Sequence, residues 1–142
     1  MKLPIILSLA LVFLTCSTSC KKNKLHPVPS IPFDITIDIN LPTYSNLTGV
    51  GGYAYVTGGS KGIIVYRRSL GEFVAFDRHS PANEGACEKP LVTSEDNFLE
   101  LIDSCTYGKF SLYDGSPISG SEFGLRMYST WFDGNSSLRI YN

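Results

Sequence analysis

The stretch "GIIVYRRSLGEFVAFDRHSPA", residues 62 to 82, contains two runs dense in β-branched and aromatic side chains, parted by "SLG". Such residues suit a pleated, half-buried surface, and glycine suits the positive φ of a tight turn, so the stretch predicts two adjacent strands. Upstream, "GGYAYVTGG" supplies a third strand across the turn "GGSKG", and a three-strand meander follows. Further upstream, "FDITIDIN" sets Phe33, Ile35, Ile37 and Ile39 against Asp34, Thr36, Asp38 and Asn40, the period-2 pattern of a strand buried on one face.

Downstream, "NFLELID", "KFSLYDG", "EFGLRMYSTWFDG" and "SSLRIYN" predict two more hairpins, with Asp114–Gly115 and Asp133–Gly134–Asn135 at turn positions. From residue 33 onward the chain offers no amphipathic run of helical period and helical length. The expected fold class is all-β, with short antiparallel strands in small stacked sheets or a barrel. One segment breaks the rhythm: "HSPANEGACEKPLVTSEDN", residues 79 to 97, is long for a loop and contains Cys87, which suggests that it is stapled.

The start of the chain reads differently. "MKLPIILSLALVFLTCSTSC" has a basic Lys2, an apolar run from about Leu3 to Leu14, then small residues, which is the layout of an export signal. Its apolar run is shorter than the about 20 residues needed to span a bilayer. Cys20 follows Ser17, Thr18 and Ser19, whereas Cys16 follows the bulkier Phe13, Leu14 and Thr15, so Cys20 is the candidate for lipidation. The match to a bacterial lipobox lacks the usual leucine, since Ser17 stands there; simple secretion is the alternative. The expected organisation is a signal over residues 1–19, a lipidated cysteine and proline-rich tether over 20–32, and a β domain over 33–142. The expected location is a bacterial cell envelope, lipid-anchored on the periplasmic or outer-membrane side.

With Cys16 in the signal and Cys20 lipidated, Cys87 and Cys105 remain, and two cysteines in an exported domain suggest one disulfide. The formal net charge of −1, from 12 basic and 13 acidic side chains, offers no footprint for nucleic acid.

The stretch 62 to 82, then a loop, then "DSCTYGKFSLYDGSPISGSEFGLRMYSTWFDGNSSLRIYN" at 103 to 142 resembles the Rieske domain, a β-fold that binds a [2Fe–2S] cluster. "GKFSLYDGSPISG" is similar to the family's F-x-x-x-D-G-x-P-x-x-G pattern, and the resemblance covers Gly62 to Asn142. A Rieske centre takes two thiolates on one iron and two imidazoles on the other. Aligned on the family's two cluster loops, the ligand positions here are Ser80, Ala82, Asp103 and Thr106, all substituted. A shifted register makes Cys105 a ligand but leaves Gly108 at the histidine position.

The resemblance further implies that Cys87 and Cys105 are the pair of cysteines, one in each loop, that clamp the two loops together. On this reading there is no cofactor, no metal and no catalytic residue. The chain is then a membrane-anchored binding or accessory module, with a possible protein partner at a loop tip bearing Arg78, His79, Glu84 and Tyr107. The alternative is a cluster-bearing electron-transfer subunit.

Other constellations are weaker. A redox-active dithiol lacks a C-x-x-C spacing and an evident lysine neighbour; a mononuclear site would draw on His79, Cys87 and Cys105. His79 beside Ser80 has no identifiable orienting group for hydrolysis, and "GVGGYAYVTGG" has no following helix to make a phosphate loop. Trp131, Tyr128, Phe132 and Tyr141 read as core of a β-surface rather than as a stacking face.

Overall fold

The structure is a computed structural model that describes residues 24–142; the signal and Cys20 expected from sequence lie outside the described residues. Among the described residues ten strands run in chain order: β1 (Asp34–Asp38), β2 (Tyr53–Val56), β3 (Ile63–Ser69), β4 (Glu72–Asp77), β5 (Val92–Thr93), β6 (Glu100–Ile102), β7 (Lys109–Ser111), β8 (Pro117–Ser119), β9 (Met127–Phe132) and β10 (Ser137–Tyr141). They form a six-stranded sheet, β1-β10-β9-β4-β3-β2, and a four-stranded sheet, β5-β6-β7-β8. Every pairing is antiparallel.

The large sheet curls into a half-barrel because β9 divides its partners. Tyr128 and Met127 pair with Ala75 and Phe76 of β4, whereas Ser129 to Phe132 pair with β10. The inside of the curl is one core, built from Ile37, Ile63, Val65, Ala75, Tyr128, Leu138 and Ile140 among others. A second core, with Ile64, Phe76, Leu91, Leu101, Phe110 and Leu112, lies between β3–β4 and the small sheet. Strand β3 therefore has both faces covered, which is why "IIVY" is an unbroken apolar run. Strand β1, paired only with β10, keeps the alternation expected of a half-buried strand.

The all-β expectation holds, and the architecture is consistent with a small Rieske-like β-fold. Two short elements were not legible. Pro42–Thr48 is a 3₁₀ segment whose Leu47 is buried, held where Arg67 Nη1 donates to the carbonyls of Leu47 and Thr48 at 3.0 and 2.6 Å. The segment 79–97 also contains β5 and a 3₁₀ turn at Ala82–Gly85, so it is more ordered than a single long loop.

Glycine placement at one turn is forced by packing. Gly115 has φ +75°, and a Cβ there would stand 2.5 Å from Cε1 of the fully buried Phe76. This explains the Asp114–Gly115 pair that the sequence places at the β7–β8 turn.

Candidate functional site: the disulfide-clamped loop tip

Two loops meet at one end of the molecule. The first, residues 78–91, leaves β4; the second, 103–108, joins β6 to β7. The Cys87–Cys105 disulfide joins them, with the two Cα atoms 5.8 Å apart. Cys87 is buried and Cys105 is exposed.

The base of the tip is organised by Asp77, the last residue of β4, which is fully buried. Its Oδ2 accepts from Ser60 N and Tyr128 Oη, both at 2.5 Å, and its Oδ1 accepts from His79 N at 2.7 Å. Burial, then the bond to Asp77, pushes the Tyr128 phenol well above its ordinary range. His79 is clamped as well. The Gly85 carbonyl can only accept, so Nε2 donates to it at 2.8 Å, and Nδ1 faces Ser60 Oγ at 2.8 Å.

Three of the four substituted ligand positions come together. Asp103, only 1% exposed, accepts from Cys105 N at 2.8 Å, Thr106 N at 3.3 Å and Thr106 Oγ1 at 2.9 Å, and the Ser80 hydroxyl faces it from the first loop. Burial is the largest influence on its carboxyl and acts upward. The hydrogen bonds from Ser80, Cys105 and Thr106 together outweigh it and hold the group below the usual carboxylate range. Ala82, the fourth position, is buried in the second core instead.

Asp103 also stands beside the disulfide. One carboxylate oxygen of Asp103 and the sulfurs of Cys87 and Cys105 all lie within 4.8 Å of one another. The expectation of no cofactor is corrected here: a sulfur, sulfur, carboxylate group capable of holding an ion on reduction is present. Sequence reasoning assigned Asp103 only as a lost cysteine position, because nothing in the linear order shows that the loop clamp carries it to the sulfurs.

The donors present do not fit the family's cluster. That centre takes two thiolates and two imidazoles, whereas the donor set contains no histidine and both ring nitrogens of His79 are engaged elsewhere. Joined in the disulfide the two sulfurs hold no ion; as a dithiol they would, with Asp103, suit a single thiophilic ion, which takes sulfur and carboxylate donors. The set weighed and set aside from sequence drew on His79; the residues that come together are Cys87, Asp103 and Cys105.

Lys61 is a second residue that sequence reasoning missed. Its Nζ donates to the Cys87 carbonyl and lies 3.4 Å from Glu88 Oε2, which places an ammonium beside the buried cysteine. It reaches the tip from the β2–β3 turn, 26 residues away in the chain. Of the side chains expected at the tip surface, Tyr107 is 78% exposed and Glu84 is exposed. Arg78 is not presented: it donates to Leu91 O at 2.9 Å and stacks over Tyr55.

The loop backbone is strained at chosen points. Asn83 and Glu84 have φ of 47° and 57°, Gly85 follows at 78°, and Tyr107 has φ 58° in the opposite loop. Such conformations cost of order 1 kcal/mol or more each for non-glycine residues and persist only where the surroundings fix them. Here the fixing contacts are His79 on Gly85 O, Lys61 on Cys87 O, and Tyr107 N on Asp103 O at 2.8 Å.

Comparison with known proteins adds little at the level of sequence. No protein-family model matches the chain, and no curated protein matches it. Among solved structures the chain is similar to the NMR structure of the E. coli protein NirD, at 13% identity and a TM-score of 0.47, covering 79% of this chain and 98% of that one.

Proposed function

We infer that the chain is an exported, lipid-tethered Rieske-like β-module whose loop tip, once the Cys87–Cys105 bond is reduced, can hold a metal ion through Cys87, Asp103 and Cys105. The observation that carries this reading is the convergence of those three donors within 4.8 Å, at the end of the molecule where both loops are clamped. It favours the cofactor-bearing reading over a tip stripped of all ligand chemistry. The signal-like start of the sequence and the small residues before Cys20 support export and lipidation.

Loading requires the dithiol. An external dithiol reductant would supply the two electrons and two protons that open the Cys87–Cys105 bond, itself ending as a disulfide, and an incoming ion would then displace the thiol protons as it binds. Asp103 is set for that role by its lowered pKa, since it stays ionised well below neutrality. The ion would supply the centre's charge and, if it is iron, one-electron chemistry. The chain itself supplies the buried carboxylate, the two sulfurs and the hydrogen bonds that fix the second loop.

The identity of the ion separates an electron carrier from a binding module. The test is metal quantitation and a visible spectrum on protein purified and kept reduced without oxygen. Stoichiometric iron with visible absorption supports the electron-transfer reading; stoichiometric zinc without colour supports an accessory module with a structured tip. Fully reduced, folded protein that retains and takes up no metal overturns the inference.

A further inference from the structure

The described part of the expected tether does not hang free of the domain. Val28 is fully buried, and Arg126 grips its carbonyl oxygen through Nε and Nη2 at 2.9 and 2.6 Å. His26 Nε2 donates to Gly124 O at 2.9 Å, while its Nδ1 accepts from Val28 N at 3.2 Å. Its ring packs edge-on against Phe123. Nearer the domain, Asn142 Nδ2 bonds Ser30 Oγ and Ile31 O, both at 2.9 Å. The segment is thus laid along a fixed path from Phe33 back to Lys24.

That path ends at the loop tip. Pro27 lies against the first loop, where a Cβ on Gly85 would stand 3.4 Å from the Pro27 carbonyl oxygen. Lys24 lines an open cleft of about 570 Å³ together with Pro81, Asn83 and Glu84 of the first loop and Gly120 to Phe123. The second loop is directly behind, since Gly120 and Gly108 are in backbone contact. The chain therefore leaves the domain toward Cys20 from the same end that holds the disulfide and Asp103.

Only the steps from Lys24 to Cys20 separate this exit from the candidate lipid, a contour of at most about 14 Å at ~3.5 Å per residue. A tether so short keeps the Lys24 end of the cleft close to the bilayer surface. The surface chemistry at that end agrees. Leu25 is 93% exposed and Tyr107 is 78% exposed, and an aromatic with a polar edge suits the headgroup region. Lys21 and Lys22 flank the anchor in sequence, the signs that draw a chain to anionic lipid, whereas the Lys24 ammonium is paired with Glu122 Oε2 at 2.6 Å. Glu84 and Glu122 on the cleft argue against charge alone doing this, which leaves the covalent lipid and the two apolar side chains to set the orientation.

We propose that the loop tip is the membrane-facing pole of the module, with Leu25 and Tyr107 seated in the headgroup layer of the bilayer that holds the Cys20 lipid. This rests on the lipidation reading above. It places the Cys87, Asp103 and Cys105 centre at the membrane surface, where its exchange partner is a membrane-embedded or membrane-bound group rather than a freely soluble one.

The test uses the full chain, produced with its signal, in vesicles of phosphatidylethanolamine and phosphatidylglycerol that contain a brominated lipid. Trp131, the chain's own tryptophan, is 57% exposed and lies near the far end of β9, about 16 Å along the strand from Arg126. A second chain carries Tyr107→Trp in a Trp131→Phe background. The proposal expects both chains to float with vesicles, with several-fold stronger quenching of the indole at position 107 than of Trp131. Flotation with stronger quenching of Trp131, or with neither indole quenched, overturns the orientation while the lipid reading stands; in the second case the tip is open to a protein partner. A chain that does not float, and whose Cys20 is unmodified by mass spectrometry, overturns the lipid reading and the orientation with it.

Discussion

Asp103 is expected to hold the second loop in place as well as to face the sulfurs, and replacing it separates those roles. Asp103→Ala removes the acceptor for Cys105 N, Thr106 N, Thr106 Oγ1 and the Ser80 hydroxyl. Cys105 and Thr106 are exposed, so water can replace the carboxylate there. Ser80 is fully buried, and although its Oγ still accepts from Ala82 N at 3.2 Å, its hydroxyl proton loses the carboxylate that it faces. One stranded buried donor costs about 1–3 kcal/mol, and exchanging the three carboxylate bonds at the exposed loop for water adds about 1 kcal/mol, for a total near 2–4 kcal/mol. Asp103→Asn keeps one oxygen for the two backbone donors and should cost about 1 kcal/mol. The assay is urea unfolding of the chain from residue 21 onward with the disulfide intact.

The pH dependence supplies an independent check with a definite sign. The folded carboxyl lies below its unfolded value, so its contribution is fully present above the unfolded pKa of about 4 and is lost as pH falls through the folded one. Asp103→Asn should flatten that part of the acid limb. Equal losses for Ala and Asn, or a loss below about 0.5 kcal/mol for Ala, would refute the assignment of Asp103 as the loop's organiser.

Further expectations follow from other contacts. Tyr128→Phe removes one donor from buried Asp77 and should cost about 1–2 kcal/mol in urea unfolding. Because the Tyr128 phenol is held protonated above its unfolded pKa of about 10, wild-type stability should fall as pH rises past that value, and the Phe variant should lose this dependence. Gly115→Ala meets the Phe76 ring at 2.5 Å from a left-handed backbone, so a loss of about 2–4 kcal/mol is expected by thermal unfolding. Replacing both Cys87 and Cys105 by Ala opens a clamp of sequence separation 18 and should cost about 3 kcal/mol in the chain-entropy model.

Much of the fold was legible because its strands carry their environment in their pattern. The alternation of "FDITIDIN" marks an edge strand with one wet face, and the unbroken "IIVY" marks a strand between two cores. The β9–β10 hairpin announces itself at Asp133, whose Oδ1 accepts from Asn135, Ser136 and Ser137 N. By contrast, Pro42–Thr48 has no period, and the two-residue β5 is too short to have one.

The site was only half legible. Cysteine arithmetic identified the clamp, and the family resemblance placed it between the loops. The approach of Asp103 to the sulfurs, Lys61 to Cys87 and the Val28 segment to Arg126 are contacts between distant parts of the chain, set by the curl of the large sheet and the seating of the small one. No local pattern encodes them. Proline content at 27, 29 and 32 pointed to an extended segment; the described chain bends at Pro27–Val28 and is docked, which composition does not encode.

The most direct test of the account is a cobalt(II) titration of the reduced chain without oxygen, followed by its thiolate-to-metal charge-transfer absorption. The account predicts one equivalent bound to the dithiol form, none to the disulfide form, and marked weakening by Asp103→Ala measured in protein shown to be folded. Absence of that absorption in folded, fully reduced protein, or binding indifferent to the disulfide and to Asp103, would contradict a centre built from Cys87, Asp103 and Cys105.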